Sequence, residues 1–358
     1  MANLLVFPID SLRAAVCELM RGFGSQPTEV ELVTENLLQA NLTGHDSHGI
    51  GMLPRYADAF REGWLQPNAH AEIRRDSGAT LSLDGRAGFG QVIGHEAMEI
   101  GITRAKQHGC CILALGNAHH LGRIGAWAEM AVAEGLISVH FVNVISRPIV
   151  APWGGSDARF GTNPFAAGIP VEGGDPILLD FATSIIAQGK TRVAHNKGER
   201  LLPGQMLDDK GLPTTDPKYG VINPFGALLT FGQHKGFGLS LVCELLGGAL
   251  ASGLAIHERG GGEQRIINGM LTVLLAPAAL ADPATFQREM QACLEWIKAS
   301  PPQPGTDRVQ LAGEPERLMR AKRLAEGIPV DETTWNEILA AAGALGINPA
   351  DLNRHVGL

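Results

Sequence analysis

The sequence carries little charge and no clustered positive charge. Charged residues make up 18% of the chain, the formal net charge is −8 at pH 7, and no run of Lys or Arg exceeds two residues. A nucleic-acid-binding domain needs a basic patch or stripe, so no nucleic-acid partner is predicted. No apolar stretch reaches the roughly 18–20 residues of a membrane span, and the N-terminus lacks the pattern of a signal peptide. These absences predict a cytoplasmic protein without a membrane segment.

Cysteine is also scarce, and its spacing carries no motif. The chain has five cysteines and no CxxC pair, which predicts free, reduced thiols. HxxxH and Cys-His spacings are missing, so no metal centre is predicted. The serine-nucleophile pattern G-x-S-x-G is missing as well. A metal-dependent hydrolase or lyase that uses the histidine clusters described below stays open as an alternative.

The order of periodic segments predicts an α+β fold with a mixed central sheet. Hydrophobic residues make up 45% of the 358, which is globular composition. Helical patterns fill both ends of the chain, and strand-like and helical runs alternate between them. We expect residues 1–78 plus 283–358 to form a helical domain and residues 79–282 to form an α/β domain for cofactor and substrate.

Local signals add three expectations. Asp10 is placed to cap a first helix that starts at Ser11. The stretch Gly154–Pro170 is expected to be rich in loops, and the stretch Gln188–Leu228 to be a polar connection. Gly88, Gly90 and Gly94 form a GxGxxxG pattern between a strand and a helix, which we interpret as a turn with close packing and not as a dinucleotide fingerprint.

The most informative stretch is residues 43–56, TGHDSHGIGMLPRY. It contains His45, Asp46, Ser47 and His48 in succession after a predicted helix end. Burying so many polar groups without partners would cost about 1–3 kcal/mol each, and histidine alone titrates near neutral pH, at about 6.5. The mixture is therefore typical of a site that moves protons.

A second histidine pair, His119 and His120, follows a buried strand at the edge where α/β folds place their chemistry. The structural alternative is that one of them caps the next helix or bonds a backbone carbonyl. Asp180 ends another apolar strand and needs a partner, either a histidine from another segment or the backbone of Thr183 and Ser184.

Residues 233–238, QHKGFG, begin a predicted helix that includes Lys235. Free N–H groups, a helix dipole and a cation make a credible anion or phosphate site. A solvated lysine beside a flexible turn is the alternative.

Together these segments resemble the malate/L-lactate dehydrogenase-2 family, which also holds sulfolactate, ureidoglycolate and piperideine-2-carboxylate enzymes. They run in family order over nearly the whole chain and are most similar to the hydroxycarboxylate dehydrogenase B branch. The matching pieces are GHDSHGIGMLPRY, NAHHLGRIG, RFGTNPF, LLDFATS with AQGKTRVA, PTTDP, HKGFGLSLVCELLGGAL and AGEPE.

The resemblance implies an NAD- or NADP-dependent dehydrogenase that interconverts 2-oxo and 2-hydroxy carboxylic acids. It also implies a cofactor fold unrelated to the Rossmann type, and a homodimer with its active site near the subunit interface. His48 and His120 become the acid/base candidates, with Ser47 and Asp180 relaying to His48. The implied cofactor-binding positions, to which the predicted anion site adds Lys235, are His48, Leu121, Gly122, Arg123, Leu178, Leu179, Asp180, Phe181, Ala182, His234, Asn268, Leu311, Ala312, Gly313 and Glu314.

Two positions depart from the family pattern. Many members place an arginine that holds the substrate carboxylate where this chain has Met52, so Arg55, Arg123 and Arg159 become the candidates for that task. Ala312 replaces a proline in the late motif. The missing arginine also supports an alternative, a non-catalytic ligand-binding protein that keeps the dehydrogenase fold.

Overall fold

The computed structural model describes residues 4–257 and 266–358, which form strands β1–β12 and helices α1–α12. The strands are β1 Leu4–Phe7, β2 Glu72–Asp76, β3 Thr80–Asp84, β4 Cys110–His119, β5 Ile137–Ile145, β6 Phe165–Ile169, β7 Ile177–Phe181, β8 Met206–Leu207, β9 Pro213–Thr214, β10 Ala227–Leu228, β11 Ile267–Leu275 and β12 Ile328–Asp331. The helices are α1 Ile9–Arg21, α2 Pro27–Leu42, α3 Leu53–Arg61, α4 Gly90–His108, α5 Gly125–Ala133, α6 Gln188–Lys197, α7 Lys218–Val221, α8 His234–Cys243, α9 Pro283–Lys298, α10 Glu314–Glu326, α11 Glu332–Ala344 and α12 Pro349–Val356. None of the helices in these ranges is long and apolar enough to cross a membrane.

A seven-stranded mixed sheet forms the centre, in the order β2-β3-β4-β11-β5-β6-β7. Only β3 and β4 pair in parallel, and the other neighbours are antiparallel. A doubly wound dinucleotide-binding fold would need a mostly parallel sheet. The predicted α+β class with a mixed, non-Rossmann sheet is therefore confirmed.

Both chain ends build one helical unit beside the sheet. Strand β1 pairs with β12, so the two ends are joined by backbone hydrogen bonds. Apolar side chains from α1, α2, α3, α11 and α12 share one buried core, in which Phe7 packs against Trp335 with ring centroids 4.9 Å apart and planes inclined by 50°. Burial of these helix faces fixes the position of the histidine-rich segment that links α2 to α3.

The exact division of the chain stays a prediction, with two local differences. Strand β2 pairs with β3 in the central sheet, so the sheet begins before residue 79. Helix α9 has no buried residue, so it adds nothing to the core of the helical unit.

Two local expectations were wrong, and a third holds apart from one strand. Asp10 lies inside the first turn of α1, which begins after Pro8 without a side-chain cap. Strand β6 lies within the stretch expected to be rich in loops, where it pairs with β5 and β7. It was not predicted because its Ala- and Gly-rich sequence lacks a clear alternation of apolar and polar residues. Helix α6 lies in the expected polar connection, and its polar sequence gives it little apolar periodicity.

The glycines of the GxGxxxG pattern allow close packing, as we predicted from the sequence. A Cβ atom on Gly90 would lie 2.6 Å from the carbonyl oxygen of His119 and still closer to that of His120. One on Gly94 would lie 2.5 Å from the indole of Trp127. The start of α4 is therefore pressed against the second histidine pair, which leaves no room there for a phosphate.

Candidate active site

The segment between α2 and α3 is held in place by charged contacts. The carboxylate of Asp46 accepts hydrogen bonds from Arg323 of α10 at 2.6 and 2.9 Å and from Asn41 at 2.7 Å. His45 lies 3.6 Å from Glu316, also on α10. These contacts fix the single turn Asp46–His48 and present His48 to the rest of the site.

The structure brings His48 and His120 together, although they are distant in sequence. Their rings are nearly parallel, with centroids 5.6 Å apart and planes inclined by 19°. His120 directly follows β4, whereas His48 comes from the helical unit. Ser47 Oγ lies 3.0 Å from His48 Nδ1, so the free ring nitrogen of His48 is Nε2.

A buried hydrogen-bond chain leads to His120. The Nε2 amide of Gln91 donates to the Tyr56 hydroxyl at 2.8 Å, and that hydroxyl lies 2.7 Å from His120 Nδ1. Because the tyrosine oxygen already accepts from Gln91, its own proton is directed at Nδ1. Burial raises the pKa of Tyr56, so the hydroxyl stays protonated. This arrangement selects the His120 tautomer that carries its proton on Nε2.

Sequence reasoning assigned no role to Tyr56 or Gln91. Tyr56 stood at the end of the informative segment, but a lone tyrosine on a helix is more often a core residue. Gln91 gave no signal at all. A glutamine that is 2% exposed in the first turn of α4 becomes noticeable only when its burial is known.

Among the described residues, neither the His119 ring nor the His120 ring caps a helix or bonds a backbone carbonyl, which was the structural alternative for one of them. His119 is buried, and neither of its ring nitrogens has a hydrogen-bond partner among the described residues. Burial lowers its pKa to about 3. Its ring lies edge-on to Tyr56 with centroids 5.5 Å apart, so it packs behind the His120–Tyr56 pair.

Asp180 is paired in a way that the sequence did not predict. Its Oδ2 accepts the backbone N–H of Gly125 at 2.8 Å, at the first residue of α5. The Thr183 N–H donates to Thr162 O instead and no helix begins there, so the alternative in which Asp180 caps the backbone of Thr183 and Ser184 is wrong. Asp180 acts on His48 through its charge, which raises the pKa of that imidazole.

Burial outweighs this attraction. The pKa of His48 is lowered to about 4, chiefly by desolvation. The charge of Asp180 raises this pKa, and the charges of His45 and Arg123 lower it. The pKa of His120 lies well below its usual value because of burial and because His48, His119 and Arg55 are near it. Both rings are therefore neutral at pH 7, although the charge of Asp180 favours the protonated form of His48. Only His48 has a carboxylate that favours protonation.

Several predicted cofactor positions lie together at the free edge of the sheet. Strand β7 is the last strand, and its Leu178 N–H donates to the Ala312 carbonyl at 3.2 Å. Gly313, with φ +91°, precedes α10 and packs against Leu178. Leu179 is exposed, while Phe181 and Ala182 are half-buried at the strand end. Leu311 and Glu314 flank this contact, and Glu314 forms an ion pair with Lys298.

His234 and Lys235 lie at the start of α8, next to the same strand. The segment before them pairs with the residues after β7, because Phe231 N–H donates to Thr183 O and Ile185 N–H to Leu229 O. Both His234 and Lys235 are exposed. The predicted anion site is therefore open and adjacent to β7.

Other predicted cofactor residues are buried. Asn268 is 2% exposed, and its side chain accepts the Leu121 N–H at 2.8 Å and donates to Asn143 O at 2.9 Å. It positions the backbone that follows His120, and its amide oxygen and nitrogen each already have a protein partner. Leu121 and Gly122 are buried, and Arg123 forms an ion pair with Glu129 at 2.6 Å.

The three candidate arginines have different surroundings. Arg123 is engaged with Glu129, and Arg159 makes a two-pronged bond to Asp157 at 2.9 and 2.6 Å. Arg123 lies near enough to His48 to lower the pKa of that imidazole, but its guanidinium is already paired. Arg55 precedes Tyr56 on α3 and is exposed.

The open residues fit a dinucleotide on the sheet edge. Leu179 of the edge strand β7 is exposed, and the starts of α8 and α10 flank this edge, which leads to Asp180 and His48. Helix N-termini favour phosphate groups. Within residues 4–257 and 266–358 no three His, Cys, Asp or Glu side chains are grouped to hold a metal ion.

Known proteins resemble this chain over almost its full length. The model of the malate/L-lactate dehydrogenase family matches residues 7–339. Hydroxycarboxylate dehydrogenase B of Escherichia coli (strain K12) is 45% identical over 95% of this chain and 94% of its own. L-lactate dehydrogenase of Cupriavidus necator is 39% identical over 88% and 90%.

Solved structures agree with these matches. An E. coli chain provisionally described as a malate/lactate dehydrogenase superposes with a TM-score of 0.94 at 44% identity, covering 98% of both chains.

Proposed function

The chain belongs to the malate/L-lactate dehydrogenase family, and on that premise we propose that it transfers hydride between a nicotinamide and a 2-oxo or 2-hydroxy carboxylic acid. Members of this family are redox enzymes that use a nicotinamide cofactor. The observation that carries the proposal is the stacked His48–His120 pair, which lies beside Asp180 at the end of the exposed strand β7. The relatives are dehydrogenases, which does not favour the metal-dependent or non-catalytic alternatives.

The two histidines have different tasks in the proposed reaction. The bound nicotinamide supplies or accepts the hydride. His48 Nε2 takes the proton of the hydroxyl group in oxidation and returns it to the oxygen in reduction, because Asp180 favours its protonated form. His120 stays neutral and donates its Nε2 proton as a hydrogen bond to the same oxygen. When two groups of the same type have different surroundings, their pKa values differ, and this difference commonly decides which one acts as the acid or base.

Tyr56→Phe tests the tautomer assignment. The variant removes the proton aimed at His120 Nδ1, so we expect kcat/KM to fall about 10- to 100-fold, in line with about 1–3 kcal/mol for a lost buried partner. The control is Tyr219→Phe, because Tyr219 is the other tyrosine and its hydroxyl makes no hydrogen bond to any residue that the structure describes. ¹⁵N shifts of the His120 ring report the tautomer directly. A wild-type ring protonated on Nδ1 contradicts the assignment.

The activity itself is tested by following NADH and NADPH absorbance with 2-oxo acids. Pyruvate, phenylpyruvate, oxaloacetate and 2-oxoglutarate are each assayed with both cofactors. We expect oxidation of at least one cofactor that depends on the 2-oxo acid and survives chelator. Absence of turnover with every pair favours the binding protein, and loss of activity on chelation favours the metal-dependent enzyme.

The proposal also includes a homodimer in a reducing cytoplasm. The helix that starts with α8 continues as a π-helix over Glu244–Leu250 and exposes Leu241, Leu245 and Leu250. Neighbouring exposed apolar side chains are typical of subunit interfaces. All five cysteines are free, which fits a reducing compartment.

A further inference from the structure

Strand β4 reaches the histidine pair through a β-bulge. Leu115 of β4 is paired with Met270 of β11, and the next pair towards the histidines is Ala118 with Asn268. Two residues of β4 therefore stand opposite one residue of β11, which is the arrangement of a bulge. Asn117 is the second of these two residues. Bulges are common beside active sites, where they change the direction of a side chain.

The bulge moves the later side chains of β4 to the other face of the sheet. Before it, the odd-numbered residues from Cys111 to Leu115 lie in the buried core that α4 shares, and after it the core residue is Ala118. A shift by one residue has this effect because side chains alternate along a strand. His120 lies two residues after Ala118, and its ring meets the Tyr56 hydroxyl. The bulge therefore sets the direction in which the His120 ring leaves the strand.

Asn117 carries the bulge in a left-handed backbone conformation, with φ +52°. Few residues other than glycine adopt this conformation, and asparagine is one that does. Its side-chain amide donates to Asp84 Oδ1 at 3.0 Å, at the end of β3. Its carbonyl accepts the N–H of Ala87 at 2.7 Å, and Ala87 is itself left-handed at φ +55°. The bulge is therefore tied to the segment that links β3 to α4.

The backbone around His120 is fixed on both sides. The N–H of His119 donates to Gly88 O at 3.0 Å, in the same linking segment. The N–H of Leu121 donates to Asn268 Oδ1 at 2.8 Å. Because these bonds flank His120, a change in the register of β4 would be passed on to its ring. Residues other than glycine that are held in rarely populated backbone conformations cluster at functional sites.

We infer that Asn117 is a positioning residue of the active site, which directs the His120 ring at Tyr56 through the bulge in β4. Asparagine serves here because it tolerates the left-handed conformation and reaches Asp84 with its amide. Asn117 acts through the backbone of β4. The inference rests on the proposed dehydrogenase function and adds a residue to its machinery, but the direction of the ring can be measured without turnover.

The test compares Asn117→Val with Asn117→Gly. Glycine keeps the left-handed conformation and loses only the amide, whereas a β-branched side chain strongly disfavours that conformation. We expect Asn117→Val to lower kcat about 10- to 100-fold, since a misplacement of about 1 Å can cost a factor of this order. KM for the cofactor should change less than about threefold, because the bulge does not alter uniform binding. Asn117→Gly should keep kcat within about threefold of wild type, since glycine adopts this conformation freely.

A second measurement reports the ring itself. ¹⁵N shifts of His120 should show loss of the Tyr56 hydrogen bond in Asn117→Val and its retention in Asn117→Gly. Asn68→Val is the matched control, because Asn68 is also left-handed, at φ +60°, and its amide donates to Gly24 O at 2.9 Å. Gly24 precedes α2, whereas His48 follows the end of that helix. The control should lose thermal stability and leave kcat and the His120 shifts unchanged.

Wild-type kcat and unchanged His120 shifts in folded Asn117→Val overturn the inference. So does an Asn117→Gly variant that is as impaired as Asn117→Val, because the backbone conformation would then not be the cause. If Asn117→Val does not fold, Asn117→Ala takes its place, since its smaller side chain is less strained at this φ. A wild-type protein inactive with every 2-oxo acid overturns the proposed function instead, and the ¹⁵N shifts then still test the direction of the ring.

Discussion

Replacing His48 by alanine is expected to lower kcat by about 10²- to 10⁴-fold in both directions, the usual contribution of a positioned acid or base. Two imidazoles are proposed to contact the substrate oxygen. His48 is the one whose protonated form is favoured by a carboxylate, that of Asp180. Its removal leaves water as the proton carrier. Steady-state assays with saturating cofactor measure the loss. His120→Ala is expected to lose most of kcat as well, through the lost hydrogen bond to the reacting oxygen.

The pH dependence of kcat/KM distinguishes proton transfer by His48 from a purely structural role of this residue. Hydroxy acid oxidation needs neutral His48, so its kcat/KM should fall as the pH drops through about 4, the pKa of that imidazole. Asp180→Asn removes the charge that raises this pKa, so the fall should move to lower pH. Near-normal turnover in His48→Ala, or an Asp180→Asn profile that does not move in protein shown to be folded, would contradict the assignment.

Gly90→Ala is expected to reduce both stability and activity. The new methyl group would overlap the carbonyl oxygens of His119 and His120, which are backbone atoms and cannot move aside alone. Overpacking costs about 1–3 kcal/mol, and relief would displace His120 from Tyr56 and His48. Thermal or urea unfolding measures the first effect and kcat/KM the second.

Gly343→Ala is the matched control, because Gly343 also lies in a helix, α11, and its Cβ would meet nothing closer than 3.7 Å. That variant should be neutral or slightly more stable, since alanine favours the helix by roughly 0.5–1 kcal/mol. If Gly90→Ala behaves like Gly343→Ala, the close approach of α4 to the histidine pair is wrong.

Much of the fold could be predicted from local patterns. The first helix was expected from Ser11, two residues after the observed start of α1, and the alternation of helical and strand-like runs predicted the mixed sheet. Strand β6 and helix α6 were missed because their residues carry no apolar period that distinguishes them from a loop. Pairing of β1 with β12 was also missed, since strand partners far apart in sequence leave no local signal.

The sequence by itself determined the family, the mixed fold and the candidate histidines, because residue types and motif order are local properties. Only the tertiary structure decided which partners these groups have. It bonded Asp180 to Gly125 rather than to a histidine, placed Asn268 behind Leu121 and directed Tyr56 to His120. It also kept both imidazoles neutral, because desolvation depends on all the atoms that surround a ring and not on its neighbours in the chain.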